Sequence, residues 1–123
     1  YVALYETAAE IVALDPDLER LKALGDRDAT WGLGNAGCLA LDGDGVDVTS
    51  RFFAPGSGIP EDPATGSWHC LISPLAADLS GKSEISCFQA YPGRGAQIET
   101  ALIGDRVKLR GRSVTVIEGQ FRL

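Results

Sequence analysis

The chain has 123 residues, 45% hydrophobic and 23% charged, which suits one globular domain with a core of its own. Eleven Lys and Arg against seventeen Asp and Glu give a net charge of -6. No basic cluster is visible, so nucleic acid and anionic membrane surfaces are not expected as partners. In chain order, Tyr1 to Tyr5 reads as a short β-like run, and Thr7 can cap a brief helix through Ala8 to Ala13. Asp15-Pro16 has the form of a helix start, with an N-cap acid and proline at the first helical position. Leu18, Leu21 and Leu24 follow at helical spacing, and Gly25 is the expected stop.

The run Trp31-Gly32-Leu33-Gly34-Asn35-Ala36-Gly37 is glycine-rich, yet it lacks both the Gly-Lys-Ser/Thr ending of a phosphate loop and a Gly-x-Gly-x-x-Gly entry to a helix. A strand edge and turn is expected there. Asp42-Gly43-Asp44-Gly45 lacks the glutamate and flanking helices of a calcium loop and reads as a hairpin turn. Val46 to Phe53 alternates, with Val46, Val48 and Phe52 on one face and Asp47, Thr49 and Arg51 on the other, which predicts a half-buried strand.

The stretch from Phe53 to Gly81 carries the chemistry. A loop of turn formers with Glu61 and Asp62 ends at Thr65, whose hydroxyl is placed to cap the next helix. Trp68, Leu71, Ile72, Leu75, Ala76 and Leu79 follow as one apolar helical stripe, Pro74 lies inside the run, and Ser80-Gly81 ends it. Free amides and the positive dipole end of that helix then face Asp62 and Ser67, a pocket suited to an anion such as a substrate carboxylate without lysine or metal. Asp62 is placed to orient such a ligand or move a proton. His69 stands too near Ser67 in sequence to be its base, because residues so close on a helix diverge, which disfavours a Ser-His hydrolase. Glu61 reads as a solvated acid or one facing the positive end of the helix dipole.

Beyond this helix, Glu84 to Ala90, Ala96 to Ile103, Arg106 to Arg110, Ser113 to Glu118 and Phe121 to Leu123 are strand-like runs joined by short glycine-containing turns. That pattern predicts an antiparallel meander curling round the helix. Cys38, Cys70 and Cys87 have no Cys-x-x-Cys spacing, so neither a disulfide framework nor a zinc site is expected, and all three read as reduced core residues. No signal peptide or run of about eighteen apolar residues is found, which points to the cytoplasm. The chain contains no methionine, so Tyr1 does not read as a translation start and the chain reads as part of a longer polypeptide.

The run Arg51-Phe52-Phe53-Ala54-Pro55, Gly58-Ile59, Glu61-Asp62-Pro63-Ala64-Thr65-Gly66-Ser67 and His69-Cys70, with Gln89, Gly93-Arg94-Gly95, Arg106-Val107 and Gly111 beyond it, closely resembles the C-terminal half of the PhzF-like phenazine-biosynthesis proteins. The resemblance implies an α+β fold of the diaminopimelate-epimerase type: two lobes, each an antiparallel β-barrel-like sheet wrapped round a central helix, with the active site between them. It makes residues 1–123 one such lobe, the C-terminal half, without its N-terminal lobe. It further implies cofactor-free isomerisation of a small carboxylated metabolite by proton transfer, with Asp62 and Ser67 as catalytic candidates. Thr65, Gly66, Ser67 and His69 are the substrate-binding candidates, with amides of Gly66 and Ser67 on the carboxylate, and no metal or cofactor is called for. Ser67 occupies the place of the cysteine used by related racemases, which disfavours thiol chemistry.

Three departures from the pattern are visible. The family's catalytic glutamate and a further histidine belong to the other lobe, and Trp68 replaces a small residue between Ser67 and His69. The turn Tyr91-Pro92-Gly93-Arg94-Gly95-Ala96 also differs from the usual arginine motif. Besides the isomerase lobe, the sequence admits a carboxylate-binding module that does not turn its ligand over, or an assembly fragment that pairs with a second copy or with the absent lobe.

Overall fold

The computed structural model describes residues 1–27 and 34–122. Six strands form one sheet in sequence order: β1 (Val2–Tyr5), β2 (Ala36–Ala40), β3 (Val48–Phe53), β4 (Glu84–Gln89), β5 (Ala96–Ile103) and β6 (Arg106–Arg110). Helices α1 (Ala8–Ala13) and α2 (Leu18–Arg27) join β1 to β2, and α3 (Gly66–Ser80) joins β3 to β4. Both of these connections carry the chain back to the same end, so β1 pairs with β2, and β3 with β4, in parallel. The short turns give antiparallel pairs for β2 with β3, β4 with β5 and β5 with β6. The antiparallel meander expected beyond the central helix is present from β4 to β6.

The sheet is mixed and open, with β1 and β6 as its edges, rather than the antiparallel barrel expected from the sequence. Ser113 to Glu118 forms no strand, and neither does the described part of Phe121 to Leu123; Val114, Val116, Ile117 and Phe121 stand 76 to 92% exposed. Alternation alone gives a segment strand capacity, but a strand forms only where it pairs, and these residues pair with neither β1 nor β6. The glycine-rich run is described from Gly34 onward, with β2 beginning at Ala36; its first three residues lie outside the described part.

Helices pack on both faces. Against α3 lie Leu39, Val48, Ile85 and Cys87, with Trp68, Ile72 and Ala76 from the helix. Against α1 and α2 lie Cys38, Ala40 and Phe53, with Ile11, Leu18 and Leu21. This three-layer arrangement corrects the half-buried reading of β3: Val48 to Arg51 are all buried, because the face carrying Thr49 and Arg51 is covered by α1. It also rotates α3 relative to the predicted stripe. Trp68, His69, Ile72, Ser73 and Ala76 are inside, while Leu71, Leu75 and Leu79 are 59, 37 and 54% exposed. An open sheet covers one side of a helix only, and the side it takes is the one that admits the indole.

Trp68 stacks tilted on Phe52 with ring centroids 5.7 Å apart, and its ring lies over Gly37, where an added Cβ would fall 2.4 Å from the indole. The departure at Trp68 thus places its ring in the core, not at the helix mouth. Thr7 and Glu10 cap α1 reciprocally, as the sequence indicated for Thr7. In α2 the accepting side chain is Asp17, not Asp15: its Oδ1 takes the Arg20 amide at 3.0 Å, the helix starts at Leu18, and it runs past Gly25. Gly81, at φ 74, ends α3 by donating its amide to Ala77 O at 2.8 Å. Asp47 ties the start of β3 to Lys82 and Ser86, and these bonds, the one to Lys82 above all, hold its pKa down at about 2.

Cys38 and Cys87 are buried and Cys70 is exposed on α3, so only two of the three thiols are core residues. Burial pushes the Cys87 thiol up to about 12 and raises that of Cys38 as well. An alkylating reagent on the native protein is expected to modify Cys70 alone, with Cys38 and Cys87 reacting only after denaturant is added. Mass mapping of the labelled peptides checks this.

Candidate active site

The loop from Ala54 to Thr65 enters α3 from the end of β3 and is fastened at three places. Asn35 holds its first turn, donating to Ser57 Oγ at 2.7 Å and accepting the Gly56 amide at 3.0 Å. Arg51 holds its middle. Its guanidinium makes a two-pronged pair with Glu61, Nε to Oε1 at 2.7 Å and Nη2 to Oε2 at 2.8 Å. The remaining Nη1 donates to the carbonyls of Ile11, Val12 and Leu14 at the end of α1, and the group stacks over the Phe53 ring at 4.7 Å. Glu61 is therefore a partnered, shielded acid and not the solvated one expected. The chemistry of the pair was latent in Arg51 and Glu61, but only the turn between them brings the two together.

Gln89 holds the end of the loop, and sequence reasoning gave it no role. Fully buried on β4, it accepts the Thr65 amide through Oε1 at 2.8 Å and donates from Nε2 to Asp62 O at 2.5 Å and to Thr65 Oγ1 at 3.1 Å. Thr65 Oγ1 in turn donates to Asp62 Oδ2 at 2.9 Å, and Asp62 Oδ1 accepts the Ala64 amide at 3.3 Å. Thr65 thus occupies the N-cap position of α3 with its hydroxyl turned back to the loop, not forward onto the helix as predicted. The signal for Gln89 in the sequence was a polar residue in line with Ile85 and Cys87, the apolar inward positions of β4.

The consequence falls on the helix start. Among the described residues no group accepts the amides of Gly66, Ser67 or Trp68, and Gly66 and Ser67 are exposed. Asp62, Thr65, Gly66 and Ser67 are brought together at this open mouth. His69 is brought beneath it: the ring is fully buried, Nδ1 lies 2.8 Å from Thr65 O and carries the proton, and Nε2 has no partner among the described residues. Burial lowers the His69 pKa, against the opposing pull of the Thr65 carbonyl. Beside the mouth, Pro63 and Ala64 form one wall of a cleft of about 1020 Å³, faced by Tyr91, Arg94, Arg110 and Arg112. No group of three or more metal-binding side chains is found, and no helix is long and apolar enough to cross a membrane, both among the described residues.

Residues 2–119 match the model of the phenazine biosynthesis-like (PhzC-PhzF) family, and the chain belongs to that family. A Pseudomonas aeruginosa protein described as an uncharacterized isomerase is 31% identical over the whole chain, which covers 44% of that relative. A second uncharacterized isomerase of the same organism is 42% identical over 77 residues, 63% of this chain and 29% of its own. The crystal structure of a PhzC/PhzF phenazine-biosynthesis protein from Clostridium difficile superimposes with a TM-score of 0.82 at 28% identity, covering 99% of this chain and 44% of that one. The chain spans less than half the length of these relatives.

Replacing Gln89 by Leu strands the Thr65 amide in the interior, at an expected cost of about 1–3 kcal/mol in urea unfolding, with the amides of Asp62, Ala64 and Thr65 losing hydrogen-exchange protection. A second measurement uses the sole histidine. In the unfolded chain it takes a proton below about pH 6.5, whereas the buried native ring resists one, so unfolding free energy falls as pH drops below about 6.5. The slope is expected to disappear in His69→Gln, and the imidazole resonances of the native protein to titrate below the free value.

Proposed function

We propose that this chain is the C-terminal lobe of a cofactor-independent isomerase that moves a proton on a small carboxylated metabolite. The observation that carries the reading is the set of unclaimed amides at Gly66 and Ser67, with Asp62 held beside them by Thr65 and Gln89. A substrate carboxylate bound there completes the first turn of α3 and lies along its dipole. The same contacts fix the neighbouring carbon, so that a proton can pass to or from a nearby group within hydrogen-bond reach. Asp62 keeps lone pairs free beyond those shared with Thr65 and Ala64, and Ser67 offers a hydroxyl at the mouth. The isomerase descriptions of the Pseudomonas relatives agree with this chemistry. Completion of the site by a second lobe is part of the proposal, since the relatives are more than twice as long.

A second reading follows from the two bonds that already engage Asp62 within its own turn. In it Asp62 is an architectural residue, and the lobe binds a carboxylate without converting it. In the protein with both lobes, Asp62→Asn and Ser67→Ala are expected to lower turnover by more than ~10-fold, the loss of roughly one proton-transfer contribution. Full activity in both variants sinks the isomerase reading. Solvent deuterium entering a carboxylate bound to the lone lobe rules out the purely binding one.

A further inference from the structure

The turn after β4, singled out in the sequence for its altered arginine pattern, forms one side of the cleft beside the helix mouth. Pro63 and Ala64, separated from Gly66 by Thr65, line this cleft, and Leu109, which precedes the lining residue Arg110, stands against Gly66, close enough that a Cβ added there would lie 3.4 Å from its Cδ1. The cleft thus borders the loop that leads to the amides, which themselves lie outside its lining. Its floor is the cross-strand pair Phe88 and Gln97, and Tyr91 supplies an aromatic wall. Three guanidiniums, those of Arg94, Arg110 and Arg112, and one carboxylate, that of Glu99, line it in a protein whose net charge is -6.

These three charges are not equivalent. Arg110 is matched, opposite Glu99 in the β5–β6 register and 3.7 Å from Glu84. Among the described residues Arg94 and Arg112 have no carboxylate within ion-pair distance. Resting on the carboxylate-binding reading of the helix mouth, we infer that the cleft is a second acid-recognition subsite. Its ligands are flat or aromatic metabolites with two acidic groups, one on the Gly66 and Ser67 amides and the other on Arg94 and Arg112. Arginine suits this task, because its planar fork meets a carboxylate with two parallel bonds and stacks on rings such as Tyr91. The local excess of positive charge also selects a diacid over a monoacid by attraction into a cleft that the rest of the protein would repel.

Benzoate and isophthalate, which share a ring and differ by one carboxylate, test this by titration of amide resonances. Both are expected to shift Gly66 and Ser67, with isophthalate binding ~10-fold tighter, the worth of one charge-assisted contact. Arg94→Ala and Arg112→Ala, both at exposed positions outside the core, are expected to remove most of that preference and leave benzoate affinity within about twofold. They should also flatten the steeper salt dependence of the diacid. Equal affinity for the two acids, or equal losses for both in the arginine variants, overturns the subsite while leaving the helix-mouth reading intact. Failure of either acid to perturb Gly66 and Ser67 overturns that reading first. Isophthalate shifts confined to the arginine cleft then overturn the two-point mode of binding.

Discussion

A single buried carboxamide decides where α3 begins and what its first turn offers. Gln89 reaches from the middle of the sheet to satisfy the Thr65 amide and to hold both Asp62 and the Thr65 hydroxyl. Helix starts ordinarily consume their loose amides with a capping side chain. Here the residue in the capping position is drawn the other way, and the next amides are left for something outside the chain. The cost of an unclaimed amide is small where water reaches it, and Gly66 and Ser67 are exposed. On the proposed reading, a carboxylate arriving at the mouth would displace water and not a protein group, so binding would need no prior rearrangement.

The same loop is held from the other face of the sheet by the pair of Arg51 and Glu61. Removing charges from water costs several kcal/mol for each ion, and an isolated buried pair often returns no net stability. This pair is complete in its bonding, since the guanidinium spends its remaining donors on the end of α1. Its effect is geometric: it couples the helix layer on one side to the loop that feeds α3 on the other. The site thus sits where two helical layers, a strand end and a loop are fastened by side chains at either face of β3, a position that backbone packing alone would leave loose.

Much of this was legible from the residues. The extents of β5 and β6, the cap at Thr7, the stop at Gly81 and the grouping of Asp62, Thr65, Gly66 and Ser67 follow from short-range chemistry, which a local reading captures. What escaped depends on partners distant in sequence. The two-sided burial of β3 comes from α1, whose end bonds Arg51 from 37 to 40 residues earlier, and the inward turn of Thr65 comes from Gln89, 24 residues later. The rotation of α3 has the same origin. Leucine spacing marked one stripe, but the sheet selected the neighbouring one with His69 and Ser73, whose polar atoms find carbonyls one helical turn away at Thr65 and His69. The tail after Arg110 is the converse case, a sequence with strand capacity that pairs with neither edge of the sheet.

Gly37 and Trp68 together behave as one unit of volume shared between a strand and a helix. The large ring in the motif, set where the family resemblance leads one to expect a small side chain, is accommodated because the strand below has given up its own. Drift at either position alone is confined, toward overfilling on one side and an empty space on the other; drift at both in concert is open. In a lineage of such chains the helix could therefore change its packing residue without moving the amides at its tip, so that core and binding site evolve on separate tracks.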